Sequence, residues 1–249
     1  MKDQLTQGKK VKLGLGLDNY LVMAPGEILV MMARAGVGKT AWAVNVTHNL
    51  IEQGYQVLFF SLEMTDAQIL LRLLQLYYGL PRAIIEDGIK DEGVSFMKEF
   101  TEFATDLHIE SQNNLTVGDI RLKTNQVNPD VIVIDYLQYV KGFGSSPYEK
   151  ATGTVMALKA LAKSEDVPII VLSQTSRAGG SGDTPVSMNM ARDTGAIEET
   201  ADYLLGAWRN EQGQIPCRIL KNRHGAVGTV TYDFEPHIMR FNYRGNGGF

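Results

Sequence analysis

Ile28-Leu-Val-Met-Met-Ala-Arg-Ala-Gly-Val-Gly-Lys-Thr40 decides the fold. Its first half is an apolar run without polar interruption, which suits a strand buried on both faces. It then breaks into Ala33-x-x-x-x-Gly38-Lys39-Thr40, and Thr40 opens an amphipathic run that stops near Gly54. Strand, glycine-bearing loop and helix, in that order, are the context of a phosphate-binding P-loop. A chance glycine-bearing turn with a surface lysine rarely has both flanks. Gly36 and Gly38 let the backbone turn and approach an anion, so that successive N–H groups and the helix N-terminus face the phosphates. The nucleotide contacts expected are Ala35, Gly36, Val37, Gly38, Lys39, Thr40 and Ala41. Lys39 brings a point charge to the terminal phosphates of ATP, and the Thr40 hydroxyl completes the Mg²⁺ shell. The usual opening glycine is here Ala33, an exchange that an ordinary dihedral tolerates.

The remaining composition narrows the choices. A chain of 249 residues, 44% of them hydrophobic, is enough for one α/β domain with a full core. The net charge of −4 provides no global basic field, so contact with nucleic acid must come from local loops or from several subunits together. One cysteine, Cys217, excludes an internal disulfide framework and fits a reducing compartment. No apolar stretch approaches the roughly 20 residues that span a bilayer, and Met1–Lys10 lacks the apolar core of a signal peptide. A cytoplasmic protein without membrane contact is expected.

Outward from the P-loop, residues 1–20 read as a polar N-terminal segment or linker. Gln56–Leu62 is a second buried strand, and Thr65-x-x-Gln68 is a capping box before the apolar face of 69–78. Phe96, Met97, Phe100 and Phe103 fall at helical spacing. Leu107–Glu110 is a weak strand, and Thr116-x-x-Asp119 opens another helix. Pro129–Asp135 and Val167–Gln174 are buried strands flanking a helix over roughly 148–164. Thr175–Ala191 is a long Gly/Ser/Thr-rich stretch of the kind that is functional or disordered. From Tyr203 to Tyr243, four short β-like runs suggest antiparallel hairpins, and 244–249 reads as a loose tail. The fold class expected is α/β: a mostly parallel central sheet flanked by helices, with antiparallel hairpins at its C-terminal edge.

Sites in such sheets gather at the carboxyl ends of strands, and four polar residues fall there: Lys39, Glu63, Asp135 and Gln174. Asp135 follows four apolar residues, so its carboxylate emerges beside the P-loop, where it can hold Mg²⁺ through water. Glu63 can activate the attacking water or serve as an acid at a helix N-terminus; on chemistry alone the two readings stand level. Gln174 can sense the γ-phosphate, since an amide both donates and accepts, or it is a turn residue. Lys221 and Arg223 share one face of a strand. They act as a finger on a neighbour's nucleotide or protect a sheet edge.

Together these motifs resemble the ATPase domain of DnaB-type replicative helicases, a RecA-like P-loop group. The carriers are Ala33–Thr40, Phe60-Ser-Leu-Glu-Met64, Val133-Ile-Asp-Tyr-Leu-Gln138, Val171-Leu-Ser-Gln174, Arg192-Asp-Thr-Gly195 with its continuation to Asp202, and Lys221-Asn-Arg-His-Gly225. They stand in the family's order over roughly residues 20–243. The resemblance implies a ring, usually of six subunits, that encircles single-stranded DNA and translocates on it with ATP hydrolysis. It makes Lys39 and Thr40 the phosphate and Mg²⁺ ligands, Glu63 the base, Asp135 the Walker-B acid, Gln174 the γ-phosphate sensor, and Lys221 and Arg223 a finger acting in trans. Arg192, Asp193 and Gly195 match the family's DNA-gripping turn. A primase or a helicase loader is the partner implied. The family's N-terminal helical domain and linker helix have no counterpart in residues 1–20.

Two other readings share the P-loop. A RecA-like recombination or repair ATPase pairs strands without unwinding; the Lys221-x-Arg223-x-Gly225 combination and the Arg192 turn fit it less well. A nucleotide-dependent switch hydrolyses slowly and is indifferent to DNA.

Overall fold

The computed structural model describes residues 9–93, 95–142, 144–175, 185–187 and 195–246. In chain order these form β1 (Ile28–Ala33), α1 (Lys39–Glu52), β2 (Val57–Ser61), α2 (Asp66–Tyr78), α3 (Arg82–Glu92), α4 (Lys98–Phe103), β3 (Leu107–Glu110), α5 (Val117–Val127), β4 (Val131–Asp135), α6 (Pro147–Ser164), β5 (Ile169–Gln174), α7 (Gly195–Thr200), β6 (Tyr203–Ala207), β7 (Ile215–Asn222), β8 (Gly228–Glu235) and β9 (Arg240–Asn246). They build one nine-stranded sheet in the order β3-β2-β4-β5-β1-β6-β7-β8-β9. The first six in that order are parallel, and β7, β8 and β9 continue antiparallel.

Alternation along β1 splits the core in two, because successive side chains leave a strand on opposite faces. Leu29, Met31 and Ala33 pack with Trp42, Leu73 and Phe100 on one side. Ile28, Val30 and Met32 meet Ile120, Leu158 and Leu161 on the other. With both faces covered, the central strands are apolar throughout, as a parallel sheet requires. The helices start where their caps dictate: the Thr65 side chain accepts from Gln68 N while Gln68 answers to the Thr65 N–H, and Thr116 and Asp119 form the second such box. Glycine in the left-handed region at Gly79 ends α2.

Four expectations change. The Tyr203–Ala207 run is an arm of an antiparallel hairpin with β7, as expected, but its other edge also joins the parallel sheet beside β1, in register Leu29↔Tyr203. It is buried at every position, and that unbroken apolar pattern marks a two-sided parallel strand. Residues 11–20 are not a separate segment: Val11 pairs with Met23, and Val11, Leu13 and Leu17 join the core because their side chains are apolar and alternate inward. Residues 244–246 extend β9, with Arg244 paired to Asp233 at 2.8 Å, so 244–249 is not a tail throughout; 247–249 lie outside the described residues. The aromatic stretch near 91–104 contributes only the short α4, preceded by α3, which Pro81 at the N-cap initiates. Of the Thr175–Ala191 stretch, 176–184 and 188–191 lie outside the described residues. Cys217 is a core residue whose thiol burial pushes up to about 12, which makes it inert. Among the described residues no helix is long and apolar enough to cross a membrane.

Candidate nucleotide site

β1 delivers the chain from the core into the loop that matters. Ala33 is still a strand residue, paired with Gln174 and Ala207, so its extended dihedral explains why no glycine is needed there. The turn comes next: Gly36 has φ 79° and Gly38 φ 107°, a region costly for any residue with a Cβ. Gly38 caps α1, its carbonyl accepting from Trp42 N at 2.8 Å. Lys39 folds back over the loop and donates to the Arg34 carbonyl at 3.3 Å. Burial lowers its ammonium pKa, against the pull of Asp135 and Glu63.

The parallel register sets the other strand ends alongside. In the sheet β2, β4, β5 and β1 are consecutive neighbours, and Ser61 lies opposite Asp135. Ser61 Oγ donates to the Met64 carbonyl at 2.7 Å, which closes the turn that exposes Glu63. Asp135 itself is 1% exposed, and neither carboxylate oxygen has a hydrogen-bond partner. Burial raises its pKa above the ordinary value; Thr40, Lys39 and Arg72 pull it back, and Glu63 pushes it further up. The Thr40 hydroxyl is thus near enough to weigh on the titration without forming a well-made bond. A buried carboxylate with two orphaned oxygens, next to a hydroxyl, is an all-oxygen donor set that suits a hard divalent cation such as Mg²⁺.

At the end of β5, Gln138 clamps the backbone of Gln174. The Gln138 amide donates to the Gln174 carbonyl at 3.0 Å and to Ser173 Oγ at 3.1 Å, and its oxygen accepts from Gln174 N at 3.2 Å. The Gln174 side chain is left at the rim of the cavity. That cavity, about 320 Å³, is lined by Ala35, Gly36, Gly38, Lys39, Thr40, Ala41, Glu63 and Gln174. The structure therefore brings together Lys39, Thr40, Glu63 and Gln174 around one space, with Asp135 buried among them. Val37 departs from the rest: its side chain points into the core.

The remaining walls are Arg72, Phe234, Pro236 and Met239, none of them legible as a motif. Arg72 carries a partly buried guanidinium whose pKa burial lowers, while Asp135 and Glu63 raise it. One signal was available: it is the lone charge in an otherwise apolar run, Ile69-Leu-Leu-Arg-Leu-Leu74. The hairpin residues arrive from far along the chain. Asn45 holds their backbone, donating to the Met239 carbonyl at 2.6 Å and accepting from Phe241 N at 3.0 Å, and Gln75 donates to the His237 carbonyl at 2.9 Å.

Lys221 and Arg223 are elsewhere. Lys221 lies opposite Leu204, which pairs with Val30, so it is level with the amino half of β1, about 10 Å short of the P-loop end at some 3.3 Å per residue. Lys221 Nζ donates to the Glu198 carbonyl at 2.5 Å and the Glu199 carbonyl at 3.3 Å, and Arg223 Nη2 to the Glu199 carbonyl at 3.3 Å. Both cations thus cap the carboxyl end of α7, and burial lowers the Lys221 pKa with Arg223 assisting. Gly195 opens α7; Arg192 and Asp193 lie outside the described residues. Beneath the pair sits Asp202, 2% exposed, hydrogen-bonded to Lys159 Nζ at 2.5 Å and Ile28 N at 2.8 Å and ion-paired with Arg223 Nη1 at 3.2 Å.

Comparison with known proteins points one way. Residues 16–243 match the family described as DnaB-like helicase C terminal domain. A probable plasmid replicative DNA helicase of Chlamydia trachomatis is 33% identical over 237 residues, covering 90% of this chain and 52% of that protein. The replicative DNA helicase DnaB of Geobacillus stearothermophilus is 31% identical over 235 residues, covering 86% and 52%. The chain thus spans about half the length of the curated relatives it matches. Among solved structures, one described as an ATPase domain superposes with a TM-score of 0.83 at 24% identity, covering 96% of this chain and 94% of that one. A DnaB-like replicative helicase, described with its primase interactions, gives 0.83 at 23%, covering 96% and 65%. The fold is RecA-like.

Proposed function

Since this chain belongs to the family of DnaB-like helicase C-terminal domains, we propose that it is the ATP-hydrolysing motor of a replicative DNA helicase, working in the cytoplasm as a head-to-tail ring, a hexamer, on single-stranded DNA. One observation carries the reading. Lys39, Thr40, Glu63, Asp135 and Gln174 converge at the carboxyl end of the parallel strands, whereas Lys221 and Arg223 sit toward the opposite end of β1. A subunit cannot bring its own finger to its own nucleotide across that distance, and a neighbour stacked head to tail can.

In this reading the P-loop amides and Lys39 hold the ATP phosphates. Thr40 and Asp135 hold Mg²⁺, which when bound neutralises charge on the phosphate oxygens. Glu63 accepts a proton from the attacking water as that water's oxygen bonds to the terminal phosphorus and ADP leaves. Arg72 and Lys39 offset the charge gathered there, Gln174 senses the terminal phosphate, and the neighbour's Lys221 and Arg223 complete the site. Arg192, Asp193 and Gly195 grip the DNA backbone, and a few such donors per subunit repeated around a ring suffice without a basic protein. The solved relative described with primase supports a primase as partner; a helicase loader is the alternative partner.

The test is steady-state ATP hydrolysis across a protein-concentration series, with and without single-stranded DNA. Stimulation by DNA that rises cooperatively with concentration is expected, followed by strand separation. Turnover indifferent to both DNA and concentration would overturn the motor and favour a switch. DNA-stimulated turnover without unwinding would favour a recombination-type ATPase.

A further inference from the structure

Asp202 has no role in the site described above, yet its buried carboxylate has three partners at the amino end of β1. One carboxylate oxygen accepts from Ile28 N and Lys159 Nζ, and the other forms an ion pair with Arg223 Nη1 at 3.2 Å. Its own backbone closes the arrangement: Asp202 N donates to the Ile28 carbonyl and its carbonyl accepts from Arg223 N, both at 3.0 Å. The side chain of Asp202 is 3% exposed and that of Arg223 46%. The guanidinium is therefore held from below by a rigid, buried group while its outer part faces solvent.

We infer that Asp202 is a positioning residue for the trans finger, fixing Arg223 to the first residue of β1 so that the guanidinium is aimed before a neighbour's nucleotide arrives. A free arginine samples many rotamers, and ordering it at the moment of reaction costs entropy that a pre-formed anchor removes. A charge donor is effective only when held within a fraction of an ångström of its productive position. Lys159 supplies the opposite charge that offsets burial of the carboxylate; it is 14% exposed on α6 and donates also to the Gly26 carbonyl at 2.7 Å. Glu27 fixes the residue after Arg223 in the same way, pairing with His224 at 2.7 Å.

This rests on the proposed action of Arg223 in trans, and the experiment separates the two. DNA-stimulated turnover of the assembled protein is measured for Arg223→Ala, for Asp202→Asn, and for Lys159→Met/Asp202→Leu, each Asp202 variant also combined with Arg223→Ala. The double replacement removes the buried pair without leaving a lone charge, so it keeps the fold where Asp202→Asn alone fails to. The expected result is a fall in kcat of at least about tenfold with KM for ATP within about twofold, and no further fall when Arg223 is already alanine, as for two residues acting as one unit. A structural role alone would leave the apolar pair turning over at the wild-type rate, or would multiply with the Arg223 loss; either overturns the inference. Wild-type turnover in Arg223→Ala itself would instead sink the finger, and the positioning role with it.

Discussion

Replacing Asp135 by asparagine exposes what the site costs. The carboxylate is buried with both oxygens unpartnered, and burial raises its pKa despite the nearby Lys39, Thr40 and Arg72. An acid whose pKa is higher folded than unfolded binds more protons in the folded state, so stability falls as pH rises through the window from its unfolded value of 3.8 to its folded one, and stays reduced above it. Asparagine approximates the protonated acid and removes that penalty. The gain at neutral pH is set at about 1–2 kcal/mol, the usual yield of relieving a strained functional group. For a domain of this size that is a rise in Tm of roughly 2–8 °C in EDTA. Mg²⁺ and ATP reverse the order. Ligand at a hundred times its Kd stabilises the wild type by about 2.7 kcal/mol, and Asp135→Asn loses the metal-dependent part. Thermal melts in EDTA and in Mg²⁺-ATP, from pH 5 to pH 8, give both halves of the comparison, and the pH slope in EDTA flattens in the variant. A variant that melts below the wild type in EDTA would mean that the carboxylate has a stabilising internal partner, and the metal-site reading would lose its foundation.

Other substitutions probe the rest of the pocket. Glu63→Gln keeps nucleotide binding but lowers kcat on the order of 10²–10⁴-fold, the range for loss of a general base; single-turnover hydrolysis reads it, and full turnover would remove the role. Arg72→Ala weakens ATP binding by about tenfold, or ~1.4 kcal/mol, and shifts the Mg²⁺ requirement upward because Asp135 loses a cation that favours its ionised form; isothermal titration at several Mg²⁺ concentrations tests both. Gln138→Ala frees Gln174 by removing an exposed side chain, so the core is not disturbed. It should lower kcat with little change in KM, and the melting temperature should move by less than about 4 °C. A KM effect alone would argue that Gln174 acts in binding rather than sensing.

The fold was legible because its central strands are written as continuous apolar runs closed by polar residues, and a parallel sheet then puts those residues side by side. Lys39, Glu63, Asp135 and Gln174 could be found that way. Arg72 could not, because a helix residue carries no such positional code, and only its isolation in an apolar run hinted at it. Phe234, Pro236 and Met239 depend on which way a hairpin folds over α1, a choice fixed by Asn45 and Gln75 bonding to hairpin backbone. The place of Lys221 and Arg223 in the sheet was not legible either; the register of β6 and β7 puts them toward the far end of β1, which supports the proposed action in trans. The parallel setting of β6 was in turn hidden by its shortness, although its lack of alternation already distinguished it from β7, where exposed Arg218 interrupts the buried positions.

β1 has one more property. Its residues are hydrogen-bonded to β5 on one side and β6 on the other, and all are buried. A strand laddered on both edges has no slack along its axis: a displacement of the P-loop end either tears the ladder or moves Ile28 by nearly the same amount. At Ile28 the load passes to Asp202, and from Asp202 to Arg223. In the proposed head-to-tail ring, such a rod in each subunit would join the nucleotide it holds to the hand it extends to the next.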